Sequence, residues 1–394
     1  MKILFLSYYF EPDLSAGSFR NTSLLKELIV QKKEDTSVDV ISTFPNRYKS
    51  FNADTQQDEE LAPNVNIHRV LLPKTQNNFK GQIVAYRKFY GEVKRLTKGK
   101  EYDLVYASSG RLFTAFLASV LARKFKCKLY LDIRDIFREG ITEIFKSPFL
   151  KIGLGVGLRP IENYTFKRAT HINLVSKGFG PYFEKYTNAS QSFFTNGIDS
   201  IFINNKDTSN QKQSTSDKKT IVYAGNIGQG QGLDKVIPKA AKRLPDYKFV
   251  IIGDGGTKPL LKEALEIENI TNVELRDPVK RDELLTIYNE ADFLFLHLNT
   301  YKAFERVLPS KLFEYGAFNK PMIAGVGGYA LDFIKEEVSN SITFKPTDVD
   351  DFVTKLENYT YKEVSRDAFV AKFSRESINR EMVSSILNIA SGSK

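Results

Sequence analysis

Cysteine is almost missing. The single Cys127 in 394 residues excludes an internal disulfide framework and fits a reducing cytosol. Histidine is nearly as scarce, and His68, His171 and His297 are dispersed, with no metal-ligand spacing. No uninterrupted apolar run approaches the roughly 20 residues of a membrane-spanning helix. The opening Lys2-Ile3-Leu4-Phe5-Leu6-Ser7 is too short for a signal peptide and runs straight into Glu11-Pro12-Asp13. No repeat of solenoid length occurs, and low complexity is confined to the polar stretch 204–219. What is present is the composition of a soluble globular protein, 42% hydrophobic and 26% charged. The length makes two domains the natural expectation.

Charge is unevenly placed. Residues 1–199 hold 30 Lys/Arg against 20 Asp/Glu, whereas residues 200–394 hold 27 of each, so the whole net charge of +10 lies in the first half. A basic half attracts nucleic acid, anionic lipid or phosphorylated substrates, and a lysine-rich solubilising surface reads the same way. The first-half Tyr and Phe residues mostly fall in apolar periodic segments rather than on a basic stacking surface, which disfavours nucleic acid.

Short apolar runs alternate with helical patterns. Strands are expected at Ile3–Ser7, Val38–Ser42, Asn66–Leu72, Leu104–Ala107, Lys128–Asp132 and Ile172–Val175, separated by faces such as Leu24, Leu25, Leu28 and Ile29. A second series follows the polar stretch: Thr220–Ala224, Lys248–Ile252, Val273–Leu275, Phe293–Leu296, Pro321–Ala324 and Ser341–Phe344. Alternation over this length predicts an α/β protein of two doubly wound, Rossmann-like parallel-sheet domains. Their expected spans are 1–200 and 201–374, with 204–219 as the linker.

The stretch with most chemistry is Pro309-Ser310-Lys311-Leu312-Phe313-Glu314-Tyr315-Gly316, between two apolar strands. Pro309 suits the first turn of a helix, and Ser310 and Lys311 would meet an anion there. Glu314, one turn later, could hold hydroxyls. A ligand with phosphate at one end and vicinal hydroxyls at the other fits, as does an ordinary amphipathic helix with a solvated Lys/Glu pair. Gly225-Asn226-Ile227-Gly228-Gln229-Gly230-Gln231-Gly232 follows a strand and opens a helix, as a phosphate-approaching turn does. Gly253-Asp254-Gly255-Gly256 and Arg276-Asp277-Pro278-Val279 end later strands. In the first half, Asp13-Leu14-Ser15-Ala16-Gly17-Ser18-Phe19-Arg20 follows the first strand. Leu131-Asp132-Ile133-Arg134-Asp135 follows the fifth, and a carboxylate there could orient or deprotonate a hydroxyl. Asp348-Val349-Asp350 resembles an Asp-x-Asp metal motif but reads as helix N-terminal acids.

These motifs together resemble the retaining glycosyltransferases of family 4, in the subgroup with a Pro-Ser-Lys-x-x-Glu-Tyr donor-site helix. The resemblance implies the GT-B arrangement, two such domains facing across a cleft, with a final helix (375–390) returning to the first domain. It implies a nucleotide-sugar donor, UDP-linked, with hexose or N-acetylhexosamine, held by Gly17, Ser18, Asn226, Gly228, Gly253, Asp277, Val279, Pro309, Ser310, Lys311 and Glu314. Glu314 would hold the ribose. Arg20 and Arg134 would lie on the acceptor side, and Asp135 and Lys311 would be catalytic. The family's earlier Glu is replaced by Arg306, with Glu305 one step away, and the usual cations of the glycine loop are replaced by Asn226 and Gln229 or Gln231. Asn196-Gly197-Ile198-Asp199 resembles the turn that closes the first domain. No cofactor or metal is expected. The acceptor would be a cell-surface polysaccharide or lipid-linked glycan, the location cytoplasmic and peripheral at the inner face of the membrane. Apart from the resemblance, the apolar, glycine-punctuated stretch Phe149–Arg159 reads as a packing helix or as an interfacial anchor; with the basic excess of the first half it predicts peripheral association with anionic membranes, and the basic amphipathic stretch Tyr86–Leu96 lies in the same domain. A nucleotide-sugar epimerase on the same fold is the alternative enzyme, and a basic nucleic-acid-binding protein the alternative outside enzymes.

Overall fold

The apolar runs of both halves become parallel strands, because each is flanked by helices that cover a sheet on both faces. The structure is a computed structural model that describes residues 1–46, 54–73, 79–144, 147–204 and 218–392. All but the ends of the polar stretch 204–219 lie outside the described residues.

Two compact units emerge. The first comprises Met1–Thr195 and the segment from Glu376 onward, and the second Asn196–Arg375. In the first unit the strands are β1 (Lys2–Ser7), β2 (Ser37–Thr43), β3 (Asp58–Ala62), β4 (Val65–Val70), β5 (Leu104–Ser109), β6 (Lys128–Ile133), β7 (His171–Leu174) and β8 (Ser190–Ser192). Its helices include α1 (Ala16–Gln31), α2 (Phe79–Leu96), α3 (Leu112–Phe125), α4 (Phe137–Ile144), α5 (Pro148–Phe166) and α6 (Gly180–Phe183). The sheet order is β3-β4-β2-β1-β5-β6-β7-β8, parallel apart from β3 against β4. β3 was not expected: its Asp58-Glu59-Glu60 run is a charged edge, which protects an open strand but hides its apolar period. β8, Ser-Gln-Ser, is masked by polarity in the same way.

The second unit runs α7 (Ser200–Asn204), β9 (Lys219–Asn226), α8 (Leu233–Arg243), β10 (Tyr247–Asp254), α9 (Lys258–Ile267), β11 (Val273–Arg276), α10 (Arg281–Glu290), β12 (Phe293–His297), α11 (Lys311–Gly316), β13 (Met322–Gly325), α12 (Gly328–Glu337), β14 (Ser341–Phe344), α13 (Val349–Glu357) and α14 (Asp367–Lys372). Its all-parallel order is β11-β10-β9-β12-β13-β14. In each sheet the order reverses beside the first strand of the unit, which is where such sheets open a crevice at their carboxyl ends.

The boundary differs from the expected 200/201. Ile198 pairs with Ser374, its N–H donating to Phe373 O at 2.7 Å while Arg375 N–H donates to Ile198 O at 2.8 Å. Arg375 also donates to Asn196 O and to the Asp199 carboxylate. Ile198 and Phe202 then bury in the second core. These bonds put the Asn-Gly-Ile-Asp turn in the second unit, so the crossing precedes the polar stretch. The last helix, α15 (Arg375–Ser391), packs Met382, Val383 and Ile386 against Phe5, Leu24, Leu28 and Val38 in the first core. Burying each such side chain contributes on the order of 1.5–3 kcal/mol.

Candidate functional site

In the second unit three turns meet at the carboxyl end of β9. β9 ends Gly225-Asn226 and β10 ends Gly253-Asp254, with both glycines in positive φ. Gly253 is obligatory for a steric reason: a Cβ there would lie 1.8 Å from the carbonyl oxygen of Gly225. The loop after β9 is braced internally. Asn226 Nδ2 donates to Gln231 Oε1 at 2.7 Å, above Gly228, and Asn299 Nδ2 donates to Gln229 O at 2.7 Å. The turn Lys302–Arg306, which carries Glu305 and Arg306, lays Phe304 against Gly230.

α11 begins at Lys311, two residues later than Pro309 at its first position would have it. Turn bonds from Leu312 N–H to Pro309 O and from Phe313 N–H to Ser310 O, both 3.1 Å, lead into the helix. Ser310 takes the cap position without a side-chain hydrogen bond. Tyr315 fixes the helix on the sheet, its hydroxyl accepting from Ala224 N–H at 3.1 Å. Lys311 therefore passes Gly225, its Cε 3.5 Å from where a Cβ on that glycine would stand. Its ammonium lies 2.7 Å from Glu314 Oε2 and 3.3 Å from the Tyr288 hydroxyl. Burial pulls the Lys311 pKa down, but the Glu314 carboxylate more than offsets this and the ammonium is held above its ordinary value. Lys311 and Glu314, expected to serve opposite ends of a ligand, are thus partners of each other.

Asp277 is exposed, and Lys258 Nζ bonds its Oδ1 at 2.7 Å and Gly253 O at 2.9 Å. The hydrogen bond from Lys258 lowers the Asp277 pKa. Lys258 went unremarked in the sequence, although a lysine five residues after a post-strand glycine is a readable signal for a cation at that turn. Val279 is half-buried against the second core. His297 is a core histidine: fully buried, it donates from Nδ1 to Gln231 O at 2.5 Å and accepts at Nε2 from Thr347 N–H at 3.0 Å. Burial depresses its pKa to about 4, so it stays neutral. Asp348 caps α13, accepting from Asp351 N–H, as the reading of that motif had it.

In the first unit the Gly17 loop and the Arg134 loop come together. Ser15 caps α1, accepting from Ser18 N–H at 3.1 Å. The Arg134 guanidinium lies over Gly17, so close that a Cβ on Gly17 would fall 1.9 Å from Nη1. Two expected contacts are corrected. Arg20 does not face a ligand: it is 1% exposed, with Nε and Nη2 on the two Asp132 oxygens at 2.9 and 3.0 Å, Nη1 on Thr195 O and Nη2 also on Phe194 O. Ser18 is fully buried, which removes it from phosphate reach. Spacing could not show this, because Ser18 and Arg20, two residues apart, lie on different sides of α1 and both sides are buried there. Asp132, also fully buried, accepts from Asn173 Nδ2 at 2.7 Å. Burial alone would raise its pKa, but Arg20 holds the carboxyl below its ordinary 3.8.

Asp135 stands apart from that buried pair. Solvent reaches it, yet the surrounding protein lifts its carboxyl to about 6, against the pull of the Ile136 N–H and of Arg134. A carboxylate near neutrality suits proton transfer.

The glycosyl transferases group 1 family profile matches residues 204–373. The Escherichia coli (strain K12) protein WcaI, named provisionally as a colanic acid biosynthesis glycosyl transferase, is 36% identical over 126 residues, 31% of this chain. That alignment spans only 28% of WcaI. Among solved structures, sucrose-phosphate synthase of Thermosynechococcus elongatus aligns over 100% of this chain and 97% of its own, with a TM-score of 0.70 at 15% identity. Anabaena HepE in complex with UDP-glucose aligns over 98% and 99%, with a TM-score of 0.67 at 14% identity. Residues 204–373 therefore match a group 1 glycosyl transferase domain, on a chain whose two Rossmann-like units have the GT-B fold.

Proposed function

We propose that the protein is a retaining family 4 glycosyltransferase that moves a hexose or N-acetylhexosamine from a UDP-sugar to a lipid-linked or cell-surface glycan. The observation that carries this reading is the Lys311–Glu314 pair lying against the Gly225 turn, inside the segment that matches group 1 glycosyl transferases. An ammonium, a carboxylate and a glycine-lined backbone at the end of a parallel strand suit diphosphate and ribose in one ligand. WcaI and HepE support it by their names, the one as a glycosyl transferase of colanic acid biosynthesis, the other through bound UDP-glucose.

On this reading Lys311 and backbone amides stabilise the leaving diphosphate as charge develops, with Asn226, Gly228 and Gly253 shaping the loop and Asp277 and Val279 bordering the base. Lys258 adds a second cation that compensates for the neutral Asn226–Gln231 pair. In the first unit, Asp135 orients or deprotonates the acceptor hydroxyl, and Arg134 over Gly17 lends positive charge. The protein works in the cytoplasm at the inner face of the membrane.

Asp135→Asn is expected to lower kcat on the order of 10²–10⁴-fold while leaving UDP affinity unchanged. In wild type the carboxyl must be ionised to act, so activity rises with pH through about 6. The variant should lose that acidic limb, and initial rates against pH with calorimetric UDP titration check both. A variant of normal turnover would return Asp135 to a structural role. Because Lys311 supplies the charge, transfer should also persist in excess EDTA; turnover abolished by chelator and restored by Mg²⁺ or Mn²⁺ would overturn that assignment.

A further inference from the structure

Helix α5 buries one side and leaves the other bare. Phe149 is 87% exposed, and Ile152 and Val156 are each 66% exposed. They stand at i, i+3 and i+7, on one face. Single exposed apolar residues are ordinary, whereas three aligned on a helix face mark a docking surface. The helix is not loosely attached. Leu158 and Phe166 are buried, and Glu162, 2% exposed, is pinned by Arg138 Nε at 2.7 Å and the Tyr182 hydroxyl at 2.6 Å. The bare face is therefore turned outward by a firm dock on the opposite side.

Charge says what covers it. The exposed side chains of Lys151 and Arg159 border the stripe. α2 carries five cations against one carboxylate, with Arg87 and Lys94 exposed and Ile83 and Val84 half bare. α2 is tied to α4 through Tyr86–Phe113 and Phe113–Phe137 ring contacts at 5.2 and 5.9 Å, and α4 packs on α5. These helices belong to the half of the sequence that holds the entire net positive charge. Aligned apolar side chains with cations around them suit an interface of hydrocarbon beneath anionic headgroups.

We propose that the α5 face bearing Phe149, Ile152 and Val156 seats the protein on an anionic membrane, which commits the acceptor to a lipid-linked glycan. Asp135 lies two residues before α4, the helix packed on α5, so docking there holds the Asp135 loop near the bilayer. The choice of acceptor rests on the transferase reading; the surface does not.

The test is flotation of the full chain with phosphatidylglycerol or phosphatidylcholine vesicles, beside calorimetric UDP titration. Wild type should float with the anionic vesicles at low salt and be released by high salt. The triple variant F149S/I152S/V156S changes only exposed side chains, so it should keep UDP binding while losing at least about tenfold in vesicle affinity. Absence of flotation with phosphatidylglycerol, equal flotation of the triple variant, or equal binding to neutral vesicles each overturns the proposal. So does a wild-type dimer in light scattering that the triple variant dissolves, since a second copy would then be the occupant. Flotation as expected in a protein that takes no UDP would sustain the surface and remove the transferase reading alone.

Discussion

Asp132→Ala is expected to destabilise the first unit by about 3–5 kcal/mol. Arg20 is sealed with its guanidinium spread over Asp132, Thr195 O and Phe194 O, and deleting the carboxylate leaves a buried cation with two carbonyls as its remaining oxygen partners. At roughly 2–4 °C per kcal/mol for a unit of this size, the melting transition should fall by roughly 6–20 °C. Asp132→Asn keeps the shape and tests charge alone, and Arg20→Met/Asp132→Leu should recover part of the loss by removing both charges. Asp132 titrates below its ordinary 3.8 in the fold. Its contribution is therefore complete above about pH 4 and is lost as pH falls below that value. Scanning calorimetry at neutral and acid pH checks both, with the wild-type to Asp132→Asn gap narrowing in acid. A variant that melts like wild type at neutral pH would show that the pair is dispensable.

The second large effect concerns α11. Lys311→Met should weaken UDP on the order of tenfold to a hundredfold, weaken uridine much less, and lose its effect at high salt. Glu314→Gln removes a charge-assisted acceptor of about 1.5–3 kcal/mol and should weaken UDP and uridine alike. The two residues are salt-bridged at 2.7 Å, so their effects should not add. Lys311→Met also strands Glu314, which is 8% exposed, and should lower the melting temperature as Glu314→Gln does not. Calorimetric titration of UDP and uridine into both variants and the double variant settles the roles. Equal losses for both ligands in Lys311→Met, or none in Glu314→Gln, would remove α11 from the donor site.

The fold was legible because each core strand is an apolar run with its own boundary residues; Lys128–Ile133 and Met322–Gly325 could hardly be anything else. The edge strand at Asp58–Ala62 was not, since its charge is there to repel another edge. The site was legible where chemistry and spacing coincide locally, as at Lys311 and Glu314. It was not legible where function depends on the inward or outward turn of a side chain. Arg20 and Arg134 look alike in sequence, yet one is the buried brace of Asp132 and the other rests on Gly17. An eight-residue loop after β1 sets the phase of α1, and a shift of one residue would turn each of its side chains by about 100° around the helix axis.

The chain enters the second unit at Asn196 and leaves it at Arg375, with Ile198 and Ser374 paired between the two crossings. The order of synthesis then imposes an order of assembly. The second unit is one continuous segment, and all of its residues are made before α15 is complete. The first unit, although it starts the chain, lacks Met382, Val383 and Ile386 until the final helix emerges. Until then Leu24 and Leu28 have no cover on that side, and Arg20 waits for the Met382 sulfur that its Nη2 reaches at 3.3 Å. The unit made first is therefore the one completed last, and the nascent first unit is the stage most exposed to aggregation.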